Sequence, residues 1–237
     1  MELRRSSMTF SDKMSRNVSI SADKAQILRK TYLLLSLAVL GMMVGGKIGV
    51  STPAILNLFF GFFGWILAMV ALNAVPMIAM KFRHDPIMGT IAVFLDGFVS
   101  GIVLAPMLYV GQMISGQQIV TTAAWITLAI FASVTGYVYF TGLKWAPSRA
   151  TFIGIFFAII GAIVLNFFMN LTILEIAIAA GIGAFGVIVL VSATSELLHS
   201  NELDSPVPGA LMLFSGVFMV FQAVFHLLMI FAGGDRD

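Results

Sequence analysis

The feature that constrains this chain most is a succession of apolar runs, each about twenty residues or longer and closed by a short break. A helix needs ~20 mostly apolar residues to cross ~30 Å of hydrocarbon. Seven segments meet that requirement, at 31–50, 54–80, 87–110, 119–142, 150–173, 175–198 and 208–232. The breaks carry turn chemistry: Ser51-Thr52-Pro53, Lys81 to Pro86, Gly111 to Gln118, Gly142 to Arg149, and Ser200 to Pro208. The least marked break is at 171–175, where Asn170, Thr172 and Glu175 interrupt the run. One helix over 150–198 would be more than twice the bilayer at 1.5 Å per residue, so a tight turn is expected there. Strands of a membrane barrel are excluded, because they show ~10-residue alternating segments rather than continuous runs of Leu, Ile, Phe, Ala and Gly.

Composition agrees. Charged residues are 10% of the 237, against ~25% in soluble domains, and mean hydropathy is +1.02. The expected fold is therefore an all-α integral membrane protein, a bundle of seven transmembrane helices. A polar basic tail (1–30) precedes the helical domain (31–233), and a short tail (234–237) follows it. The tail lacks an early apolar stretch and does not read as a cleavable signal peptide. Residues 1–21 are expected to be flexible, and 21–30 to extend the first helix. A net charge of +2 leaves no basic face for nucleic acid, and the absence of cysteine excludes thiolate chemistry and disulfides.

Orientation follows from the basic residues. Arg4, Arg5, Lys13, Arg16, Lys24, Arg29 and Lys30 precede the first span. Lys81 and Arg83 lie between the second and third spans, and Lys144 and Arg149 between the fourth and fifth. In a seven-span arrangement these eleven share one side, and only Lys47 and Arg236 fall on the other. The positive-inside rule then makes the N-terminus cytoplasmic and places the C-terminus on the opposite side.

In lipid, helices associate through small residues that let backbones approach. Gly41 with Gly45, Gly97 with Gly101, and Gly181 with Gly183 and Gly186 have that spacing, as do Gly154 and Gly161. Pro76 and Pro106 are expected to kink or end helices.

Few polar residues interrupt the spans. Asp96 lies about ten residues into the third span, near mid-membrane; a lone carboxylate there takes a proton unless it is paired. It is a candidate proton or cation site, or a neutral group making one interhelical hydrogen bond. His226 in the last span shares a face with Gln222 and is either a structural hydrogen-bonding group or a proton relay. Asn57, Asn73, Asn166 and Asn170 read as interhelical hydrogen-bonding groups. Glu196, His199, Glu202 and Asp204 cluster where the sixth span ends; they form a solvated helix end or a weak oxygen-ligand cation site. No enzymatic constellation is present. The sequence lacks His-Glu-x-x-His, Gly-x-Ser-x-Gly and a P-loop. It has one mid-membrane Asp rather than a pair, and no Lys in the last span for a retinal Schiff base. No cofactor is expected.

Three segments carry a family resemblance. They are Arg29-Lys30-Thr31-Tyr32-Leu33-Leu34-Leu35-Ser36-Leu37, the third-span stretch from Phe94 through Asp96, Gly97 and Gly101 to Pro106, and Ser192-Ala193-Thr194-Ser195. With them, residues 25–235 resemble the Bax-inhibitor (transmembrane Bax inhibitor motif) family, in its bacterial branch. The resemblance implies six helices around a central seventh, in the bacterial inner membrane. It implies a pH-sensitive calcium leak tied to two aspartates near the cytoplasmic ends of spans six and seven. It also implies contact, as modulator or substrate, with a membrane-bound AAA protease. The aspartate positions correspond here to Ala193 and to Phe214 or Ser215, none of them acidic. The leading expectation is thus a non-enzymatic accessory or regulatory partner of a larger membrane complex, such as that protease or a respiratory assembly. The other is a cation or proton leak channel using Asp96, Glu196 and His226.

Overall fold

The computed structural model describes residues 10–145, 147–199 and 204–234, and every element in them is helical. The helices are α1 (Phe10–Ser51), α2 (Pro53–Phe59), α3 (Gly61–Lys81), α4 (Pro86–Ser115), α5 (Gln118–Thr141), α6 (Arg149–Met169), α7 (Thr172–His199) and α8 (Pro206–Gly234). Six of them, α1 and α4 to α8, are long and apolar enough to cross a membrane.

The boundaries follow local chemistry. Asp85 caps α4, its Oδ1 accepting from the Ile87 and Met88 N–H groups, with Pro86 at the first helical position. Ser148 caps α6 by accepting from Thr151 N. Between α6 and α7, Asn170 takes the left-handed conformation at φ 49°. Asn166 Oδ1 accepts from Leu171 N across the same turn. Asn73 donates to the Met69 carbonyl one turn back in its own helix. These three asparagines thus serve their own helix or turn rather than bridging helices, because a short amide reaches nearby backbone first.

Three expectations are corrected. The second span is not one helix: Phe60 is extended and Gly61 has φ +88°, which splits it into α2 and α3. Only glycine takes that conformation without strain. Residues 10–21, expected to be flexible, belong to helix α1 and continue the first span, with no Gly or Pro in 10–40; residues 1–9 lie outside the described residues. Of the two effects expected of Pro76 and Pro106, ending a helix is ruled out, since they lie inside α3 and α4.

Helix α8 occupies the centre. It packs against α1, α3, α4, α5 and α7, and its Leu213, Phe214, Val220 and Phe225 are almost fully buried. Helix α6 stands outside, against α7. The α1–α4 pair is the closest. A methyl on Gly97 would strike the Ala38 carbonyl, one on Gly101 the Met42 carbonyl, one on Gly45 the Phe98 carbonyl, and one on Gly41 the Phe94 carbonyl. The second glycine contact joins Gly186 to Gly216 across α7 and α8, with Gly183 against Ala223. Gly181, Gly154 and Gly161 instead face open space, because the matching face of a partner helix does not reach them.

One end of the bundle gathers four chain segments. Lys24 Nζ donates to the Leu198 carbonyl at 2.6 Å. Ser205 Oγ donates to the Arg83 carbonyl, and Arg83 and His84 approach Asp204 at 3.8 and 3.9 Å. Ser195 Oγ donates to Leu143 O at 2.8 Å and accepts from Trp145 N at 2.9 Å. The turn of α1 around Lys24, the α3–α4 loop, the α5–α6 loop and the α7–α8 loop therefore meet at the same end.

Candidate functional site

Helix α4 shows different faces to different neighbours. Gly97 and Gly101 meet α1. Asp96 and Ser100 lie one position earlier, about 100° round the helix, and line a cleft instead. The cleft has a volume of about 710 Å³ and is walled by α3, α4, α6, α7 and α8, with Phe59 of α2. Helices α3 and α6 flank it without forming a packed pair, so it opens sideways between them. Asp96 is the eleventh residue of α4, about 15 Å along the axis and so about half a bilayer deep. It is 3% exposed. No described residue hydrogen-bonds or ion-pairs with its carboxyl group. Asn73, Ser100, Ser215 and Gln222 also line the cleft. Of these, sequence reasoning passed over Ser100 as a site residue and named Ser215 only where the resemblance implies an aspartate; the i, i+4 spacing of Asp96 and Ser100 was the available signal.

Glu196 lies elsewhere. It is exposed near the C-terminal end of α7, while Ser192, Ala193, Thr194 and Ser195 beside it are buried. His199 Nδ1 contacts the Ser195 carbonyl at 3.0 Å. Asp204 faces Arg83 and His84, and Glu202 lies outside the described residues. Among the described residues, no three His, Asp or Glu side chains come together to hold a metal ion.

His226 has a partner that the sequence reading missed. Its Nε2 lies 2.7 Å from Glu175 Oε1. Glu175 stands in the first turn of α7, where a carboxylate also suits the helix dipole. Gln222 turns to the cleft instead of joining this pair. The three candidates Asp96, Glu196 and His226 thus occupy three separate places. A cleft in mid-bundle holds the first, the surface at one end holds the second, and an interhelical hydrogen bond holds the third.

Residues 24–233 match the family model described as inhibitor of apoptosis-promoting Bax1. The chain belongs to the Bax-inhibitor family. Uncharacterized bacterial proteins are among its relatives. One from Pseudomonas aeruginosa is 27% identical over 216 residues, covering 88% of this chain and 90% of that protein. One from Neisseria meningitidis serogroup A is 24% identical, covering 91% and 95%. One from Campylobacter jejuni is 23% identical, covering 88% and 90%. A bacterial membrane protein of the Bax-inhibitor family is what these matches and the apolar helices together describe.

Within that family the chain's own residues at the expected acidic positions are apolar or neutral. Ala193 is 1% exposed and Phe214 2% exposed, both in the core, and Ser215 lines the cleft. A latch of two carboxylates sharing a proton needs two carboxyl groups in reach of each other. The Ser192–Ser195 segment does different work: Ser195 pins the α5–α6 loop, and Thr194 Oγ1 is buried without a described partner.

Proposed function

We propose that this chain is a non-enzymatic, seven-span protein of the bacterial inner membrane. It acts as an accessory or regulatory partner of a larger membrane complex, such as a membrane-bound AAA protease or a respiratory assembly. The seventh crossing is the broken α2–α3 unit. Lys24 and Arg83 stand at the same end of the bundle, so the chain leaves that end through α1 and returns through α2 and α3. That end carries the basic loops, which by the positive-inside rule is the cytoplasmic one. The C-terminus then lies on the opposite side.

The observation that carries the reading is the surface at this end. Four segments are tied into one face, and it exposes Arg29, Lys30, Lys81, Arg83, Lys144 and the ring of Trp145. Exposed cations around an aromatic suit an acidic protein surface, and such charges set encounter and orientation more than affinity. Extraction in a mild detergent tests it: the chain is expected to travel in an assembly larger than itself. Arg83→Gln with Lys144→Gln is expected to reduce that fraction several-fold. The seven tail cations remain to hold the orientation. A lone, partner-free monomer from native membranes would overturn the reading.

A cation or proton leak is the second reading, and one observation favours it: the mid-membrane Asp96 lines a cleft rather than a packed interface. Flux in proteoliposomes that falls in Asp96→Asn would establish it.

A further inference from the structure

We infer that the cleft beside α8 binds a lipophilic amine, its apolar tail among the Met and Phe side chains and its ammonium on Asp96. The inference is independent of both functional readings.

Size selects the class of occupant. The cleft's volume of about 710 Å³ lies within the ~300–1,000 Å³ of small-molecule sites. The wall is adaptable: Met69, Met77, Met80, Met107, Met212 and Met219 all line it. Flexible, polarizable thioethers accept apolar shapes that a rigid Leu or Ile wall would reject.

Chemistry selects the headgroup. Asp96 is 97% buried, lines the cleft and has no described partner. An intramembrane carboxyl group normally pairs with a cation or a donor. Among the described residues no Lys, Arg or His lines the cleft, so a cation on Asp96 comes from the occupant. An ammonium satisfies it with a charge-assisted hydrogen bond, and the faces of Phe214 and Phe218, which also line the cleft, suit a cation as well. The sideways opening between α3 and α6 gives a membrane-dissolved molecule its entry. Asp96 lies about 15 Å deep, below the headgroup level of a bilayer phospholipid, so a single-chain free amine is the occupant rather than a lipid headgroup.

The test uses the full chain in phosphatidylcholine nanodiscs with dodecylamine as probe and dodecanol as its uncharged match. Saturable binding of one dodecylamine per chain is expected, at least tenfold tighter than dodecanol. Asp96→Asn is expected to remove that preference, bringing dodecylamine to the affinity of dodecanol. Met69→Trp, which fills the cleft from its exposed α3 side, is expected to weaken both. Equal affinity for amine and alcohol, or dodecylamine binding unaffected by Met69→Trp, would overturn the inference, and the second arm decides even if Asp96→Asn does not fold. Loss of dodecylamine binding on moving to phosphatidylethanolamine nanodiscs would assign the cleft to a lipid headgroup and also overturn it.

Discussion

Glu175 Oε1 and His226 Nε2 meet at 2.7 Å, joining the first turn of α7 to the later turns of α8. The two residues are about equally far along the chain from the loop that connects these helices. An antiparallel hairpin therefore brings them level. The same register seats Gly186 on Gly216 and Gly183 on Ala223. Side-chain hydrogen bonds between membrane helices contribute about 0.6 kcal/mol on average and at most ~1.7. Glu175→Gln and His226→Ala are each expected to lower stability by about 1 kcal/mol. The double variant is expected to cost less than the sum of the two. Unfolding titrations in mixed micelles check this; strict additivity would mean that the contact contributes nothing.

The glycines divide into two groups with opposite expected effects. Gly97→Ala, Gly101→Ala and Gly45→Ala push a methyl into a facing backbone carbonyl of the α1–α4 pair, where neither side can yield. Each is expected to destabilise by about 1–3 kcal/mol. Gly154→Ala, Gly161→Ala and Gly181→Ala meet open space and remove a flexible residue from a helix. These are expected to be neutral or to stabilise by up to about 1 kcal/mol. Thermal melting of the six variants in one detergent separates the groups.

At the basic end, two polar links differ in burial and should differ in effect. Ser195 is 3% exposed and serves both the Leu143 carbonyl and the Trp145 N–H. Ser195→Ala leaves both without their partner, at a cost of about 1–3 kcal/mol, and frees the loop before α6. Asp204 and Arg83 are 54% and 42% exposed at 3.8 Å, so Asp204→Asn is expected to cost ~1 kcal/mol or less. Limited proteolysis of inverted vesicles should show faster cleavage around Lys144 in Ser195→Ala and an unchanged pattern in Asp204→Asn.

Much of this architecture was legible because bilayer thickness forces long apolar runs, and the polar breaks stand out between them. The turn at Asn170 was legible for that reason, by length alone. The break at Phe60–Gly61 was not, since the sequence stays apolar on both sides and only the backbone at Gly61 changes. Periodicity placed Gly181 on a stripe with Gly183 and Gly186 but carried no information on how far α8 follows that stripe. Asp96 was legible as a mid-membrane carboxyl group; the cleft beside it depends on α3 and α6 standing apart, which no local pattern encodes. Glu175 reads in the sequence only as turn punctuation, because its partner lies 51 residues away.

The topology has a simple check, because the chain contains no cysteine and single ones can be introduced. Lys144→Cys in inside-out vesicles and Gln117→Cys in right-side-out vesicles are expected to react with a membrane-impermeant maleimide. Labelling of both from the same side would break the seven-span arrangement.

Ion conduction would set a leak channel against an accessory role. Calcium entry into proteoliposomes at about pH 6 and about pH 8, wild type beside Asp96→Asn, tests that directly. With Ala193, and Phe214 or Ser215, where the resemblance implies the acidic pair, the expected result is no entry above empty liposomes at either pH. Entry that varies with pH and is lost in Asp96→Asn would contradict the accessory role and make the α4 cleft an ion path.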